Sequence, residues 1–256
     1  YLWSDGQTNA LATGLSFGSY TCTITDFNGC TDNITVQIDQ PTLLTSNEVS
    51  VSDVSCFGGN DGTAEVEGLN GTPIAGGSYF YSWNNGQTTQ QVFGLSFGTY
   101  TCTITDSNGC TDNITVQVGQ PNELSITLTE TNVTCNGYDD GAINADVQGG
   151  ISTSPYNYFW SSNIGVNPIG TDFIDGLAPG IYTLNVFDAN NCPATNQVEI
   201  TEPITLTSNE VSASDVSCFG GNNGSAEVEG LNGTPVYTYL WSDGQTNALA
   251  TGLSFG

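Results

Sequence analysis

The sequence has 256 residues, with 26 aspartates and glutamates and no lysine, arginine or histidine, so its formal net charge is −26. Because phosphate binding requires cationic side chains, this composition excludes nucleic acid and anionic membranes as partners. No apolar run approaches the roughly 20 residues of a membrane-spanning helix, so no membrane insertion is predicted.

The chain is built from copies of one sequence block. Residues 239–256 are identical to residues 1–18, which gives a period of 238 residues. Residues 94–121 nearly repeat residues 14–41, and residues 176–203 are a more diverged version of the same segment. Such long blocks, each with its own Trp, Cys and turn signals, predict a string of separate globular domains.

The repeats predict the domain boundaries. Residues 42–121 and 122–203 are two complete repeats, each ending at a Gln-Pro or Glu-Pro pair. Residues 1–41 correspond to the C-terminal part of a repeat and residues 204–256 to the N-terminal part. We therefore expect both ends of this sequence to fall inside a repeat of a longer array.

Each repeat has the pattern of seven short β-strands separated by turn signals. In the repeat 42–121 the strands that can be placed are 45–54, 63–67, 78–83, 88–93, 99–105 and 113–118. Apolar residues alternate with polar ones, as Ala64 and Val66 do, and no segment has a helical period. An antiparallel β-sandwich is predicted.

Two aromatic positions point to the immunoglobulin-like group of sandwiches. Trp83, Trp160 and Trp241 each end a Tyr-x-Tyr-x-Trp strand, as a core tryptophan of the third strand would. Tyr100 and Tyr182 follow a glycine turn, where a tyrosine corner is expected. The predicted fold class is all-β, a tandem array of immunoglobulin-like antiparallel β-sandwich domains forming a rod.

The cysteines are sorted by comparing the two complete repeats. Leu184 replaces Cys102, which indicates a core position. The cysteines retained in both repeats then predict the disulfides Cys56–Cys110 and Cys135–Cys192. Cys30 and Cys218 are expected to pair with residues outside this sequence or in adjacent copies. A cysteine metal site is disfavoured because no CxxC motif is present, and disulfides indicate an oxidising, extracellular compartment.

Calcium is the one cofactor for which candidate ligands exist. If Cys56 and Cys110 were bonded, two turns rich in Asp and Asn would become neighbours and could surround a hard cation. The alternative is that these residues simply form turns through their own hydrogen bonds. The candidates are Asn60, Asp61, Asp106, Asn108 and Asp112 in one repeat and Asp139, Asp140, Asp188 and Asn190 in the next.

A second candidate surface lies on the strand that carries the tryptophan. Phe80, Phe159 and Leu240 point to the face opposite the Tyr and Trp residues; Phe159 and Leu240 directly precede their Trp, and Phe80 lies two residues earlier in its strand. They could mediate lateral contact between rods or with an accessory chain. The alternative, that this strand is central in its sheet and covered on both faces, is favoured.

The residue types disfavour an enzyme. Without His or Lys, activation of a nucleophile would depend on carboxylates alone. Glu65 and Glu67 alternate with Ala64 and Val66 along one strand, as do Glu227 and Glu229 in their copy. These acids are predicted to lie on the solvent face of a strand, so no catalytic residue is assigned.

Three blocks carry a resemblance to a known family. They are DVSCFGGNDGTAEVEGLNGTP (53–73), GLSFGTYTCTITDSNGC (94–110) and YLWSDGQT (239–246). They resemble the SprB-type repeats of very large surface adhesins from gliding bacteria of the Bacteroidetes group. The third cysteine (Cys22, Cys102) and the looser segment 151–172 depart from the pattern.

The resemblance implies a protein exported by the type IX route and acting in attachment or gliding motility. We expect a secreted, extracellular structural shaft that holds adhesive sites away from the cell. The alternative is that each repeat is a weak polysaccharide-binding module acting by avidity. Expected partners are adjacent repeats of the same chain, with other copies in a filament as a further option.

Overall fold

The computed structural model describes residues 1–151, 155–165 and 172–254. It contains eighteen β-strands in these residues and no helix, and thus no helix capable of spanning a membrane in the described part. Two compact units are found: residues 1–54 with 58–119, and residues 55–57 with 120–256. The segment 151–172, singled out from the sequence, is described only at 151, 155–165 and 172.

The first unit begins with one antiparallel sheet of three strands. These are β1 (Leu2–Trp3), β2 (Gly18–Thr25) and β3 (Thr31–Ile38), in the order β1-β2-β3. Strands β2 and β3 form a hairpin in which Gly18 pairs with Ile38 and Thr25 with Thr31. Residues 1–41 thus provide one layer of a sandwich.

The repeat 42–121 forms a complete two-layer sandwich. Its strands are β4 (Thr45–Ser52), β5 (Gly62–Leu69), β6 (Phe80–Trp83), β7 (Gln91–Leu95), β8 (Gly98–Thr105) and β9 (Thr111–Val118). One sheet has the order β4-β5-β7 and the other the order β6-β8-β9. Residues 42–121 therefore contain six strands where seven were predicted; after the last of the six, the chain continues directly into the next repeat.

Alternation along the strands builds the core between the two sheets. Ala64 and Val66 of β5 are buried while Glu65 and Glu67 are half-buried. They pack with Val92, Ile104 and Val116 in one apolar cluster. Burial of such side chains stabilises by roughly 1.5–3 kcal/mol each.

The second unit contains a complete sandwich built the same way and a further sheet. The sandwich has the strands β10 (Ser125–Thr131), β11 (Gly141–Gln148), β12 (Asn157–Ser162), β13 (Phe173–Leu177), β14 (Gly180–Phe187) and β15 (Pro193–Ile200). Its sheets have the orders β10-β11-β13 and β12-β14-β15. The further sheet contains β16 (Thr207–Ser214), β17 (Gly224–Leu231) and β18 (Leu249–Leu253).

The immunoglobulin-like features are present in both complete sandwiches. Trp83 and Trp160 are buried in the two cores. The Tyr100 hydroxyl donates to the Ser96 carbonyl at 3.0 Å, and the Tyr182 hydroxyl donates to the Ala178 carbonyl at 2.8 Å. A tyrosine that bonds to backbone a few residues upstream is the tyrosine corner of this fold. The prediction of an all-β, immunoglobulin-like fold repeated in tandem is confirmed.

Candidate functional site at the cysteine-bearing turns

Each complete sandwich has two turns that carry a cysteine, and in each sandwich one of these two cysteines is disulfide-bonded and the other is free. The early turn follows the first strand, at residues 53–61 and 132–140. The late turn connects the last two strands, at residues 106–110 and 188–192. Cys56 and Cys135 lie in early turns, whereas Cys110 and Cys192 lie in late turns.

The late turn lies at the end of the sandwich where the chain enters, here called the entry end. The Ser107 amide donates to the Thr72 carbonyl at 2.9 Å, just beyond the end of β5. There β5 pairs with the start of β4, since Leu69 is opposite Thr45. In the second repeat the Ala189 amide of the late turn donates to the Ile151 carbonyl at 3.3 Å. The adjacent Gly150 amide donates to the Asn122 carbonyl of the entering chain at 2.9 Å.

The early turn lies at the opposite end, where the chain leaves, here called the exit end. The Val54 amide donates to the Gly119 carbonyl at 3.1 Å, and the Gly119 amide donates to the Asp53 carboxylate at 2.6 Å. The second repeat has the same arrangement, with the Val133 amide donating to the Thr201 carbonyl at 3.2 Å. An eight-residue strand separates the two ends, a distance of about 25 Å.

This geometry decides which cysteines pair. The structure has one disulfide in its described residues, Cys56–Cys192, with Cα atoms 5.7 Å apart and a sequence separation of 136. The predicted pairs Cys56–Cys110 and Cys135–Cys192 are therefore wrong. Within one repeat the two turns lie at opposite ends of the sandwich, whereas a disulfide requires Cα atoms within about 7 Å.

The disulfide joins an early turn to the late turn of the following repeat. Residues 55–57, which carry Cys56, belong to the second compact unit. The Asn190 side-chain amide donates to the Ser55 carbonyl at 2.9 Å, one residue from the sulfur bridge. The spacing of the cysteines in sequence does not predict this pairing. It could have been predicted from the strand order, because the exit end of one repeat is followed directly by the entry end of the next.

A buried aspartate shapes each late turn. Asp188 accepts the amides of Asn190 and Cys192 on one oxygen and the amide of Ile151 on the other, all at 2.9 Å. Burial raises the pKa of this carboxyl, but the three amide hydrogen bonds together outweigh burial and leave the pKa below its ordinary value. The negative carboxylate thus fixes the backbone that presents Cys192.

Asp106 has the same role in the first complete repeat. One oxygen accepts the amides of Asn108 and Cys110, both at 2.9 Å, and the other accepts the Thr72 amide at 3.0 Å. The hydrogen bond from Thr72 is the largest cause that holds the pKa of Asp106 below its ordinary value. Both predicted calcium ligands, Asp106 and Asp188, therefore have their oxygens on backbone amides.

Of the other calcium candidates, Asn108 and Asn190 lie in the late turns with these two aspartates, whereas the candidates of the early turns lie at the opposite end of the sandwich. Asp112 lies at the entry end, where its carboxylate accepts the Ser46 hydroxyl at 2.6 Å. Asn60 and Asp61 lie in the early turn at the exit end, as do Asp139 and Asp140 in the second repeat. The Thr134 amide donates to Asp140 at 2.9 Å, and the Thr134 hydroxyl holds the pKa of that carboxyl below its ordinary value.

Among the described residues, no three side chains of His, Cys, Asp or Glu are grouped so that they could hold a metal ion. Calcium binding stays a prediction from the sequence.

The third cysteine of a repeat is a core residue. Cys102 and its counterpart Leu184 are both fully buried, and Cys22 is 1% exposed. Burial raises the pKa of the Cys102 thiol. A buried thiol of raised pKa is unreactive, because the thiolate is the nucleophile. In contrast, Cys30, Cys110, Cys135 and Cys218 are exposed free thiols.

The candidate lateral surface is exposed to solvent. Phe80 and Phe159 are each 58% exposed and Leu240 is 82% exposed. Phe159 also makes an edge-on contact with Phe187, with ring centroids 5.7 Å apart. Because these residues are exposed in a single chain, association through them stays a prediction.

One family model matches three segments of this chain. The model described as SprB repeat matches residues 49–88, 127–164 and 211–246. Each match begins in the first strand of a repeat and extends past its Trp position, so the resemblance stated from the sequence is confirmed. No curated protein matches the chain.

Solved structures with tandem domains are similar to this chain only loosely. The three N-terminal domains of the Highly Immunogenic Outer Capsid protein of bacteriophage RB49 share 16% identity, with 84% of this chain and 82% of that chain covered and a TM-score of 0.38. The eight N-terminal immunoglobulin domains of the Down Syndrome Cell Adhesion Molecule share 12%, with 84% and 31% covered and a TM-score of 0.38. Sidekick-1 immunoglobulin domains 1–5 share 11% identity, with 87% of this chain and 54% of that chain covered and a TM-score of 0.32. At TM-scores below 0.5, nothing about function follows from them.

Proposed function

Because three segments of this chain match the SprB repeat, which is known from adhesins of the bacterial surface, we propose that the chain is a stretch of a secreted, repetitive surface adhesin. Its repeats act as a structural shaft that holds adhesive sites away from the cell, for attachment or gliding. The triple family match carries this proposal. The role is structural and adhesive, with no catalytic step.

The disulfide supports an extracellular location. Disulfides form and persist in oxidising compartments and are rare in reducing ones. Cys56–Cys192 closes a stretch of 136 residues, and removing a native disulfide from a small secreted domain costs roughly 2–5 kcal/mol. Such a bond would be maintained on the surface of a cell.

The placement of the aromatic residues favours a shaft over a sugar-binding module. Binding to polysaccharide would call for exposed Trp or Tyr side chains that can stack on sugar rings. In the two complete repeats Trp83 and Trp160 are buried, and Tyr81 and Tyr182 are buried with them. Tyr138 is exposed, at 56%, and the remaining tyrosines of these repeats are half-buried: Tyr79, Tyr100, Tyr156 and Tyr158.

The charge also fits a spacer. No cationic side chains neutralise the 26 carboxylates, so they repel one another and other acidic polymers. At physiological salt this repulsion acts over a Debye length of roughly 8 Å. Such a surface favours solubility over adsorption. The absence of Lys and Arg also removes every cleavage site for trypsin-like proteases.

The test is whether the repeats themselves adhere. This chain and a chain with two successive 238-residue periods are applied to polysaccharide-coated beads and to bare hydrophobic beads. We expect no retention of either chain above that of uncoated, blocked beads. Linked weak sites gain roughly 10²–10⁴-fold in avidity, so retention that rises steeply with the second period would overturn the shaft in favour of a binding module.

A matched variant identifies the residue if retention is seen. Tyr138→Ser removes the exposed tyrosine of the complete repeats without touching either core. Retention of the doubled chain that disappears in this variant would assign binding to Tyr138. Retention that survives in the variant would assign it to another surface of the repeat, and in both cases the repeats would be adhesive.

A further inference from the structure

The surroundings of the Cys56–Cys192 bond recur one repeat later. Cys56 lies in a crevice with Asn122, Leu124 and Gly150 of the following repeat. Cys135, the early-turn cysteine of that repeat, lies in a second crevice. The corresponding residues line it: Ile204, Leu206 and Gly233.

The backbone of the two crevices is held in the same way. In the first, the Gly150 amide donates to the Asn122 carbonyl at 2.9 Å; in the second, the Gly233 amide donates to the Ile204 carbonyl at 3.0 Å. The backbone that lines the crevice of the Cys56–Cys192 bond therefore has its counterpart beside Cys135.

The early turn that carries Cys135 is already attached to the following segment. The Asn136 side-chain amide donates to the Pro203 carbonyl at 3.2 Å, and the Thr205 hydroxyl donates to the Asn136 side-chain oxygen at 2.8 Å. The Gly137 amide donates to the Glu202 carboxylate at 2.8 Å. These bonds hold the exposed Cys135 thiol against the start of the next repeat.

The sequence supplies the missing partner at the right spacing. Residues 239–256 copy residues 1–18, and in the first copy that segment continues to Cys30 in a late turn. If the chain is continued by a second copy of residues 19–41, a copy of Cys30 stands 12 residues after Gly256. Its sequence separation from Cys135 is then 133, close to the separation of 136 between Cys56 and Cys192.

We propose that the early-turn cysteine of each repeat forms a disulfide with the late-turn cysteine of the following repeat. Successive repeats are then joined by a ladder of cross-links in addition to the peptide backbone. This inference rests on the proposed function only in that a shaft is what the ladder strengthens. By the same rule Cys110 pairs with the early-turn cysteine of a preceding repeat, and Cys218 with the late-turn cysteine of the repeat after it.

The chemistry of each rung is thiol–disulfide exchange. The Cys135 thiol and the late-turn thiol are oxidised to one disulfide, and an external disulfide such as glutathione disulfide is reduced to two thiols. One sulfur–sulfur bond forms as one breaks, and the two thiol protons pass to the two glutathione sulfurs. The exposure of the late-turn and early-turn thiols gives the external disulfide access to them.

The experiment compares this chain with the same chain extended by a second copy of residues 19–41, and both carry Cys30→Ser in the original copy so that the peptide with the added cysteine is unique. Both are folded with oxidised and reduced glutathione and alkylated with iodoacetamide without reduction. They are then cleaved at Asp and Glu, and the peptides are analysed by mass spectrometry. In both chains the Cys56–Cys192 peptide serves as the internal standard for correct folding.

We expect Cys135 to be alkylated in the original chain. In the extended chain we expect it to be linked to the added copy of Cys30, with alkylation of Cys135 reduced at least tenfold. In the extended chain with Cys135→Ser, the added cysteine should become alkylated. In the extended chain with Cys218→Ser, the Cys135 link should persist.

Two results would overturn the ladder. One is a bond between Cys218 and the added cysteine, which is a pairing within one repeat. The other is alkylation of both Cys135 and the added cysteine while Cys56–Cys192 is intact. Neither depends on adhesion: a chain that binds polysaccharide would refute the shaft with its disulfide map unchanged, and a wrong disulfide map would leave the adhesion result unchanged.

Discussion

Two hairpins of this chain have almost the same sequence and different surroundings. Residues 18–38 and 98–118 differ at three of 21 positions, Ser19/Thr99, Phe27/Ser107 and Ile38/Val118. Their strand registers are the same, since Gly18 pairs with Ile38 and Gly98 with Val118. The local sequence is therefore sufficient to specify the strands, the turn and the pairing.

The two hairpins differ in how far their apolar side chains are buried. Ile104 and Val116 are 0% and 1% exposed, whereas their counterparts Ile24 and Val36 are 40% and 37% exposed. The second hairpin packs against the sheet β4-β5-β7, and residues 1–41 form a single sheet. Ile24 and Val36 thus stay partly exposed where the second layer of the sandwich is lacking, whereas the cysteine at the middle of the hairpin, Cys22 or Cys102, is buried in both copies.

The largest expected effect comes from Ile104→Ala. Because Ile104 is fully buried, we expect the variant to lower the free energy of unfolding of the 42–121 sandwich by about 2–5 kcal/mol. The matched variant Ile24→Ala should cost about 1 kcal/mol or less, since its side chain is partly in water. Amide hydrogen exchange resolved by strand measures both in one chain, where whole-chain melting would mix several domains.

Equal losses at Ile24 and Ile104 would contradict this comparison. They would mean that the apolar face of β2 is covered as fully as that of β8. Thr103→Ala, on the outer face of β8, is the control for changes that do not reach the core.

An intermediate effect is expected from Asp106→Asn. The Asp106 carboxylate accepts three backbone amides and its pKa is lowered by them, so its contribution is fully present above the ordinary carboxyl pKa of about 4. It is lost as the pH falls through the lower pKa of the folded state. The late turn of residues 106–110 should therefore open in acid, and Asp106→Asn should weaken it at neutral pH and remove that acid dependence.

Asp26→Asn provides the matched change in the other hairpin. Asp26 is exposed and accepts the Cys30 amide at 2.8 Å. We expect a smaller loss there than at Asp106, measured as hydrogen exchange of the turn amides between pH 2.5 and 7 after correction for the intrinsic exchange rate. A turn of 106–110 that exchanges alike in Asp106→Asn and the parent at every pH would refute the role of the buried carboxylate.

The smallest effect is expected from removing the tyrosine-corner hydroxyl, and it should be the same in both hairpins. The Tyr20 hydroxyl donates to the Ser16 carbonyl at 3.1 Å and the Tyr100 hydroxyl donates to the Ser96 carbonyl at 3.0 Å. A neutral hydrogen bond contributes about 1 kcal/mol, so Tyr20→Phe and Tyr100→Phe should each weaken the adjoining glycine turn by about that amount. Because the bond is local, a large difference between the two variants would show that the second layer also supports the tyrosine corner.

Much of the fold follows from local pattern. The alternation around Ala64 and Val66, the glycine before Tyr100 and the strand position of Trp83 predict the sandwich and its immunoglobulin-like character, and the structure confirms them. The predicted number of strands per repeat, seven, is too high by one. Turn residues indicate where a strand ends, but they do not show that the chain enters the next repeat directly after the sixth strand. The predicted disulfide pairs failed for a different reason.

The sequence by itself determined the strands, the hairpin registers and the repeat, because side-chain alternation and turn residues act over a few neighbouring positions. Only the tertiary structure decided the partner of Cys56 and the burial of Ile104. Pairing depends on which end of the sandwich each turn occupies, and that follows from the direction of every strand before it. The late turn lies at the entry end and the early turn at the exit end, so the nearest cysteine to Cys56 is Cys192, in the next repeat.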